Sequence, residues 1–284
     1  MNDTLYSLPL YYDIAFSWDL EPELDVFEKI FAKHVPGPVE RILEPACGTG
    51  RFLVTLPKRG YRVTGYDVSP EMLEHARSRV KDAGLSRGAS GNDDPDGWAE
   101  VIEADMVYAT VVPDEYDAAL NSINSLGYLL TDREIVAHFR RTGFSLRPGG
   151  IYIVHISCAH EGEIPTEGEA WESERDGVRV KTTWRLFREE LKSRRSFQSW
   201  EMVVHDGGRV MRFWDSHVFR LWTREDIERL AARSGVLELD AVYTERFEEV
   251  PAGTRITGEL GNLYFILKSV RHGVSQHRVS RHQG

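Results

Sequence analysis

The stretch from Arg41 to Phe52, Arg-Ile-Leu-Glu-Pro-Ala-Cys-Gly-Thr-Gly-Arg-Phe, constrains this chain more than any other. Val39, Ile42 and Leu43 supply the apolar run of a buried strand. Gly48 and Gly50 permit a backbone turn that a side chain would block, and they let a ligand approach the main chain. Arg51-Phe52-Leu53-Val54 opens a helix whose free N–H groups point back at that turn.

A Gly-x-Gly turn alone fits several nucleotides. A dinucleotide pyrophosphate calls for a third glycine at position 53, which is Leu53. Glu44, at the strand end, would repel a diphosphate and welcome a cationic amine. Asp67 ends the next apolar strand, Tyr61 to Asp67, about twenty residues past the turn, where a carboxylate can accept both hydroxyl protons of a ribose diol.

Glu44-Pro45-Ala46-Cys47-Gly48-Thr49-Gly50 resembles the first motif of class I S-adenosylmethionine-dependent methyltransferases. Gly65-Tyr66-Asp67-Val68-Ser69-Pro70-Glu71-Met72-Leu73 resembles their second. The resemblance implies that Glu44 and the turn, Ala46, Cys47, Gly48 and Gly50, hold the methionine end of S-adenosyl-L-methionine. Asp67 would hold the ribose, with Val68 and Met72 flanking the adenine. It also implies roles for Asp105 and Met106, after a third strand read as Val101 to Met106, and for the Asn121 backbone, at the end of a fourth strand. Arg147-Pro148-Gly149-Gly150 and the strand Ile151–Ile156 fit the same pattern. A Tyr-Asp pair like Tyr12-Asp13 forms a lid over the cofactor in such enzymes. Tyr12 is therefore a candidate for both cofactor binding and catalysis near the sulfonium. The aromatic segment 5–20 is otherwise expected to pack on the core.

The strand–helix alternation stops after residue 158. Segments 169–173, 178–187, 196–205 and 210–221 alternate with a period of two, and Asp176-Gly177 and Asp206-Gly207-Gly208 are hairpin signals. The expected architecture is α/β: a Rossmann-like, seven-stranded methyltransferase sheet with an inserted antiparallel β-sheet. Residues 1–158 and 222–270 make the cofactor-binding domain, 159–221 a substrate cap, and 271–284 a disordered tail. Such an insert also resembles that of sugar N,N-dimethyltransferases and the glycine N-methyltransferase group.

Acceptor-side candidates are Asn124 and Tyr128, after the fourth strand, and Trp184, Trp200 and Trp214 in the insert. An amine acceptor needs only to lose its proton, whereas a hydroxyl needs a base, for which His155 is the candidate. His160 with Glu161 and Glu163 fits no defined metal spacing, and His272, His277 and His282 lie in the tail, so no metal is expected. The Ser86–Gly97 loop reads as polar and surface-exposed.

The 35 basic and 45 acidic side chains give a net charge of −10, which disfavours a nucleic-acid partner. No apolar run reaches the roughly 18 residues of a membrane span, and no signal peptide is expected. Two cysteines, Cys47 and Cys158, do not make a disulfide framework and fit a reducing cytoplasm. The expected partner is a small-molecule methyl acceptor, with a homodimer left open. The leading reading is methyl transfer to an amine or hydroxyl of that molecule. Rivals are a protein or RNA methyltransferase, a non-catalytic S-adenosylmethionine-binding module, and a nicotinamide-dependent oxidoreductase, which Leu53 and Glu44 disfavour.

Overall fold

A computed structural model describes residues 5–88, 97–110, 112–160 and 168–271. The tail beyond Arg271, the centre of the Ser86–Gly97 loop, and Glu161 and Glu163 therefore lie outside the described residues.

Seven strands form the main sheet: β1 (Arg41–Pro45), β2 (Arg62–Asp67), β3 (Trp98–Glu103), β4 (Tyr116–Asn121), β5 (Leu146–Ser157), β10 (Leu237–Thr244) and β11 (Asn262–Ser269), in the order β10-β11-β5-β4-β1-β2-β3. The five strands β1–β5 pair in parallel, and β11 runs antiparallel to both β5 and β10. The strand order reverses between β1 and β4. That switch point opens a crevice at the strands' C-terminal ends, where ligands of such sheets sit.

Strand alternation sorts neighbouring residues onto two cores. Ile42, Ala118 and Ile153 pack with α2 (Glu21–His34), α3 (Arg51–Thr55) and α4 (Pro70–Asp82). Leu43, Ala119 and Val154 pack with α5 (Asp132–Ser145) and α6 (Arg224–Ser234). Caps fix where these helices begin. Ser69 accepts from the Met72 N–H, Thr131 and Glu134 form a reciprocal capping box, and Thr223 accepts from the Asp226 N–H.

Two expected boundaries shift. The third strand runs from Trp98 to Glu103, paired along β2, so Asp105 and Met106 lie in the loop beyond it. The first crossover helix, expected from the sequence to run from about Gly50 to Lys58, gives way at Leu56 to a 3₁₀ turn, Leu56–Arg59, at Pro57, which has no N–H to continue the helix.

Leu53 explains why a third glycine is absent. A Cβ added at Gly65 would lie 2.8 Å from Leu53 Cδ2 and 2.9 Å from Cys47 Cβ. Leu53 thus fills the space above the strand that a glycine would leave open. Gly65→Ala should cost about 1–3 kcal/mol through overpacking, read as a lower denaturation midpoint; an unchanged midpoint would contradict this packing.

The second sheet is antiparallel, β6-β7-β8-β9, with β6 (Glu169–Arg175), β7 (Val178–Glu190), β8 (Arg195–Asp206) and β9 (Arg209–Arg220). Two of its three hairpins turn on Asp176-Gly177, with φ of 53° and 78°, and on Gly207-Gly208, with φ of 54° and 79°. Positive φ at both central residues is the turn that matches strand twist. Val180, Met202 and Val204 on the inner face form a third core with Leu5, Ile14, Ala15 and Phe16 of the N-terminal segment. There a 3₁₀ turn, Leu5–Ser7, leads into α1 (Pro9–Ala15). Asp13 of α1 is buried, with 2% of its surface exposed. It accepts from Arg79 of α4 and from Arg175 of β6 at 2.7 Å, with His75 at 3.5 Å. One carboxylate thus clasps the N-terminal helix to both layers. Cys47 and Cys158 are buried free thiols. Among the described residues no helix is long and apolar enough to cross a membrane.

Candidate active site

A cavity of about 980 Å³ opens at the switch point and continues under the second sheet. The glycine turn forms its floor. Ala46, Gly48 and Gly50 all have positive φ, at 57°, 52° and 74°. Among these Ala46 carries a side chain in a conformation that favours glycine. Gly48 N–H donates to Asp67 Oδ2 at 2.9 Å, and Asp67 Oδ1 accepts from the Val68 and Ser69 N–H groups at 2.8 and 2.9 Å. Asp67 therefore spends three of roughly four acceptor sites on the backbone. Both acceptor sites of Oδ1 are taken, so the remaining site is on Oδ2, the oxygen that holds Gly48; it can take one ribose hydroxyl, and two would have to share it.

Of the residues expected to bind the cofactor, Tyr12, Ala46, Gly48, Asp67, Val68, Met72, Asp105 and Met106 line the cavity. Glu44, Cys47, Gly50 and Asn121 stand outside that lining. Cys47 packs under Gly65 and donates its N–H to Tyr66 O. Gly50 sits against Ala76 of α4. Asn121 is a clasp: its Nδ2 donates to Pro45 O at 3.0 Å and its Oδ1 accepts from the Leu126 N–H at 2.9 Å. It joins the ends of β1 and β4 and shapes the crevice from behind. Asp105 likewise turns its loop, accepting from the Val107 N–H at 2.6 Å.

Glu44 is 3% exposed, and its Oε2 has no hydrogen-bond partner among the described residues. Burial pushes its carboxyl up to about 8, against the pull of Arg51. Arg51 is itself buried, with both terminal nitrogens unpartnered, and its guanidinium stacks over Trp18 at 4.2 Å. An unpaired acid and an unpaired guanidinium beside the turn are complementary to the ammonium and carboxylate of an amino acid. The residues present therefore fit the methionine end of S-adenosylmethionine. Arg51 and Trp18 were not singled out from the sequence, although Arg51 directly follows the glycine turn.

A proton balance follows. Glu44 is mostly protonated at neutral pH, and an incoming ammonium needs it ionised. S-adenosylhomocysteine binding should then release a proton near pH 7, and its affinity should rise up to about pH 8. Calorimetry in buffers of different ionisation enthalpy reads this directly. Buffer-independent heats, or the same proton release in Glu44→Gln, would contradict it.

Beyond the cofactor end, the acceptor side is built from Asn124 and Tyr128, after β4, and from Trp171, Trp184, Gln198 and Trp200 of the second sheet. Trp184 Nε1 donates to Gln198 Oε1 at 2.8 Å, and Trp171 Nε1 to Ala15 O at 2.7 Å. Trp214 does not belong to this group. On β9 the residues Met211, Phe213, Asp215 and His217 face inward, and Trp214 lies on the opposite face, 59% exposed. Trp222 is in the core of the main sheet. His217 and Phe219, absent from the sequence-based candidates, line the cavity instead.

His155 also lines the cavity, stacked on Tyr264 at 4.6 Å. Its Nε2 meets Glu245 Oε1 at 3.0 Å, while Nδ1 is buried without a partner. The nitrogen free to act as a base is thus sealed in the wall, which argues against the base role expected of this residue. His160 is held by Glu189 at 3.2 Å, and no cluster of metal-ligating side chains occurs among the described residues.

A methyltransferase-domain family profile matches residues 42–150, the span that carries the turn, Asp67 and Asp105. This chain is an S-adenosylmethionine-dependent methyltransferase with the class I fold. It is 28% identical over 200 residues to a dTDP-3-amino-3,4,6-trideoxy-alpha-D-glucopyranose N,N-dimethyltransferase from Streptomyces venezuelae, covering 69% of this chain and 74% of that one. An S-adenosylmethionine-dependent methyltransferase from Clostridium acetobutylicum superposes with a TM-score of 0.69 at 18% identity, over 93% of this chain and 99% of that one. An amino pentose methyltransferase from Micromonospora echinaspora, solved with its S-adenosylmethionine bound, gives 0.65 at 22%, over 93% and 96%. The cofactor of the methyltransferase is S-adenosyl-L-methionine.

Proposed function

We propose that this methyltransferase transfers a methyl group to an amine of a small, sugar-like molecule. The observation that carries the reading is the continuity of the cavity. It runs from Gly48 and Asp67 to a chamber walled by Trp184, Gln198 and Trp200. Its volume of about 980 Å³ lies at the upper end of the range for small-ligand sites, enough for a cofactor and a second small molecule. Tryptophan faces suit a pyranose ring, and Gln198, whose amide is fixed by Trp184 and Ser196, keeps one N–H for a ring substituent. The enclosing sheet favours a small molecule over a strand or a folded surface. The Streptomyces venezuelae relative acts on a nucleotide-linked amino sugar, which supports the amine over the hydroxyl.

When bound, S-adenosylmethionine supplies an already activated methyl. The protein's part is then orientation and the exclusion of water, and well-placed reactants can gain about 7–11 kcal/mol this way. Trp171 and Trp200, packed edge to face at 5.8 Å, keep that side of the chamber apolar.

The test is a labelled-donor screen read by mass spectrometry, with nucleotide-linked amino sugars, free aminosugars, matched hydroxyl analogues, peptides and RNA as separate arms. Labelling confined to the amino compounds supports the proposal. Labelling confined to hydroxyl compounds, peptide or RNA, or none at all with a competent cofactor site, contradicts it.

A further inference from the structure

Four side chains from three separate segments meet on the acceptor side of the cavity. Tyr6, of the Leu5–Ser7 turn, hydrogen-bonds Tyr128, which follows β4. The Tyr128 hydroxyl lies 3.3 Å from His217 Nδ1 on β9. His217 Nε2 lies 3.4 Å from Asp215 Oδ2, which also accepts the Leu5 N–H at 3.2 Å. Tyr6, Tyr128 and His217 all line the cavity. The negative charge of Asp67 bears on the phenols of Tyr6, Tyr12 and Tyr128, so the cluster adjoins the cofactor end.

Donor counting orders the chain. An ionised Asp215 near Nε2 of His217 favours the proton on that nitrogen by its charge, and Nδ1 then offers a lone pair. Tyr128 gives its single hydroxyl proton to that lone pair. Tyr6 must then be the donor in the Tyr6–Tyr128 bond. Tyr128 oxygen keeps one lone pair for the cavity.

We propose that Tyr128 and His217, held by Asp215, form the relay that removes the proton from the acceptor amine. The inference rests on the amine reading above. An ammonium in the chamber passes a proton to Tyr128 oxygen as Tyr128 passes its own to His217 Nδ1. The products are a neutral amine, an unchanged phenol and an imidazolium beside the Asp215 carboxylate. The amine lone pair then forms the N–C bond while the methyl's C–S bond breaks, its electron pair staying on sulfur. Tyr128 is the residue that meets the acceptor; His217 acts through it and Asp215 positions His217. The two long spacings are of the kind that tighten when a ligand closes the site.

Among the described residues the titratable groups facing His217 are Tyr6 and Tyr128, at ring separations of 5.8 Å each, and Asp215 on its own strand; Phe219 is its apolar neighbour at 5.7 Å. Burial lowers the imidazole below its ordinary value and outweighs Asp215, so His217 is neutral and able to accept at neutral pH. His155 is not a rival, because its free nitrogen is sealed.

The test has two readouts on the full chain. In the first, histidine imidazole nitrogens are titrated by NMR with S-adenosylhomocysteine bound, and His217 is assigned by its loss in His217→Gln. An Nε2-protonated tautomer is expected, with an Nδ1 shift that moves in Tyr128→Phe. An Nδ1-protonated tautomer overturns the relay before any turnover is measured. In the second, single-turnover methylation of the amino compound from the screen is followed against pH at saturating acceptor. The rate should fall as pH drops through the pKa read for His217 by NMR. His217→Gln should lose that limb and about 10²-fold in rate, with S-adenosylhomocysteine affinity unchanged. A variant that keeps both rate and limb overturns the relay and leaves the amine reading standing. If wild type labels hydroxyl compounds and no amine, that reading falls and the relay falls with it.

Discussion

Replacing Asp67 with alanine should weaken S-adenosylhomocysteine binding by about 10²-fold or more, corresponding to about 3 kcal/mol. Two losses combine. One is the charge-assisted hydrogen bond to a ribose hydroxyl, on the order of 1.5–3 kcal/mol. The other is the anchor of the turn itself. Asp67 holds the N–H groups of Gly48, Val68 and Ser69, so its removal frees the loop as well as the ligand contact. Asp67→Asn keeps the shape and one carbonyl oxygen, and should fall between wild type and alanine. Calorimetry measures all three. Equal affinity in wild type and Asp67→Ala would remove Asp67 from the cofactor site.

The largest effect on stability is expected at Asp13. Asp13→Ala leaves Arg79 and Arg175 without their shared acid. Breaking a buried pair costs about 3–5 kcal/mol. The lower end applies here, because the two arginines keep 26% and 36% of their side-chain surface exposed. A loss of about 3 kcal/mol corresponds to a melting temperature lower by roughly 5–10 °C. Burial would raise the Asp13 carboxyl, but His75 beside it, the charge of Arg79, and the hydrogen bond and charge of Arg175 together hold it down at about 2 from an ordinary 3.8. Its folded-state pKa is depressed, so its charge stabilises the fold above the unfolded value and the gain disappears as pH falls through about 2. The difference of nearly two units is about 2 kcal/mol. Wild type should therefore outlast Asp13→Asn in denaturant melts at neutral pH by that amount, and the gap should close on acidification. A gap that persists unchanged at low pH would show that Asp13 contributes shape alone.

What the sequence revealed depended on how far apart the partners lie. The glycine turn, Asp67 and the Ser69 cap are local, and each was legible from a few consecutive residues. Glu44 was legible as a charge, and its role became concrete only with Arg51 and Trp18 placed beside it. The relay partners could not be read off, because Tyr6 and Tyr128 are 122 positions apart and Tyr128 and His217 are 89. Nothing in either segment names the other. Trp214 is different: its misplacement was avoidable. Gly207-Gly208 makes a two-residue hairpin, which fixes the register and puts Trp200 opposite Asp215. If Trp200 faces the cavity then so does Asp215, and Trp214 must face away. Asn121 shows the opposite case. The sequence pointed to its backbone, and what the structure adds is the side chain, whose amide joins Pro45 to Leu126 across 76 and 5 positions.

The Asp13 clasp also sets an order of assembly during synthesis. Its two arginine partners lie 66 and 162 residues further along the chain. At about 5–20 residues per second, the N-terminal helix emerges roughly 10–30 s before β6 does. The β1–β4 half of the main sheet and its turn can form in that interval, while α1, which lends Tyr12 to the cavity, has α4 but neither β6 nor β7 to lean on. Nascent chains halted before β6 should therefore hold the turn without a closed chamber, so that the donor's cradle exists on the ribosome before there is any place for the acceptor.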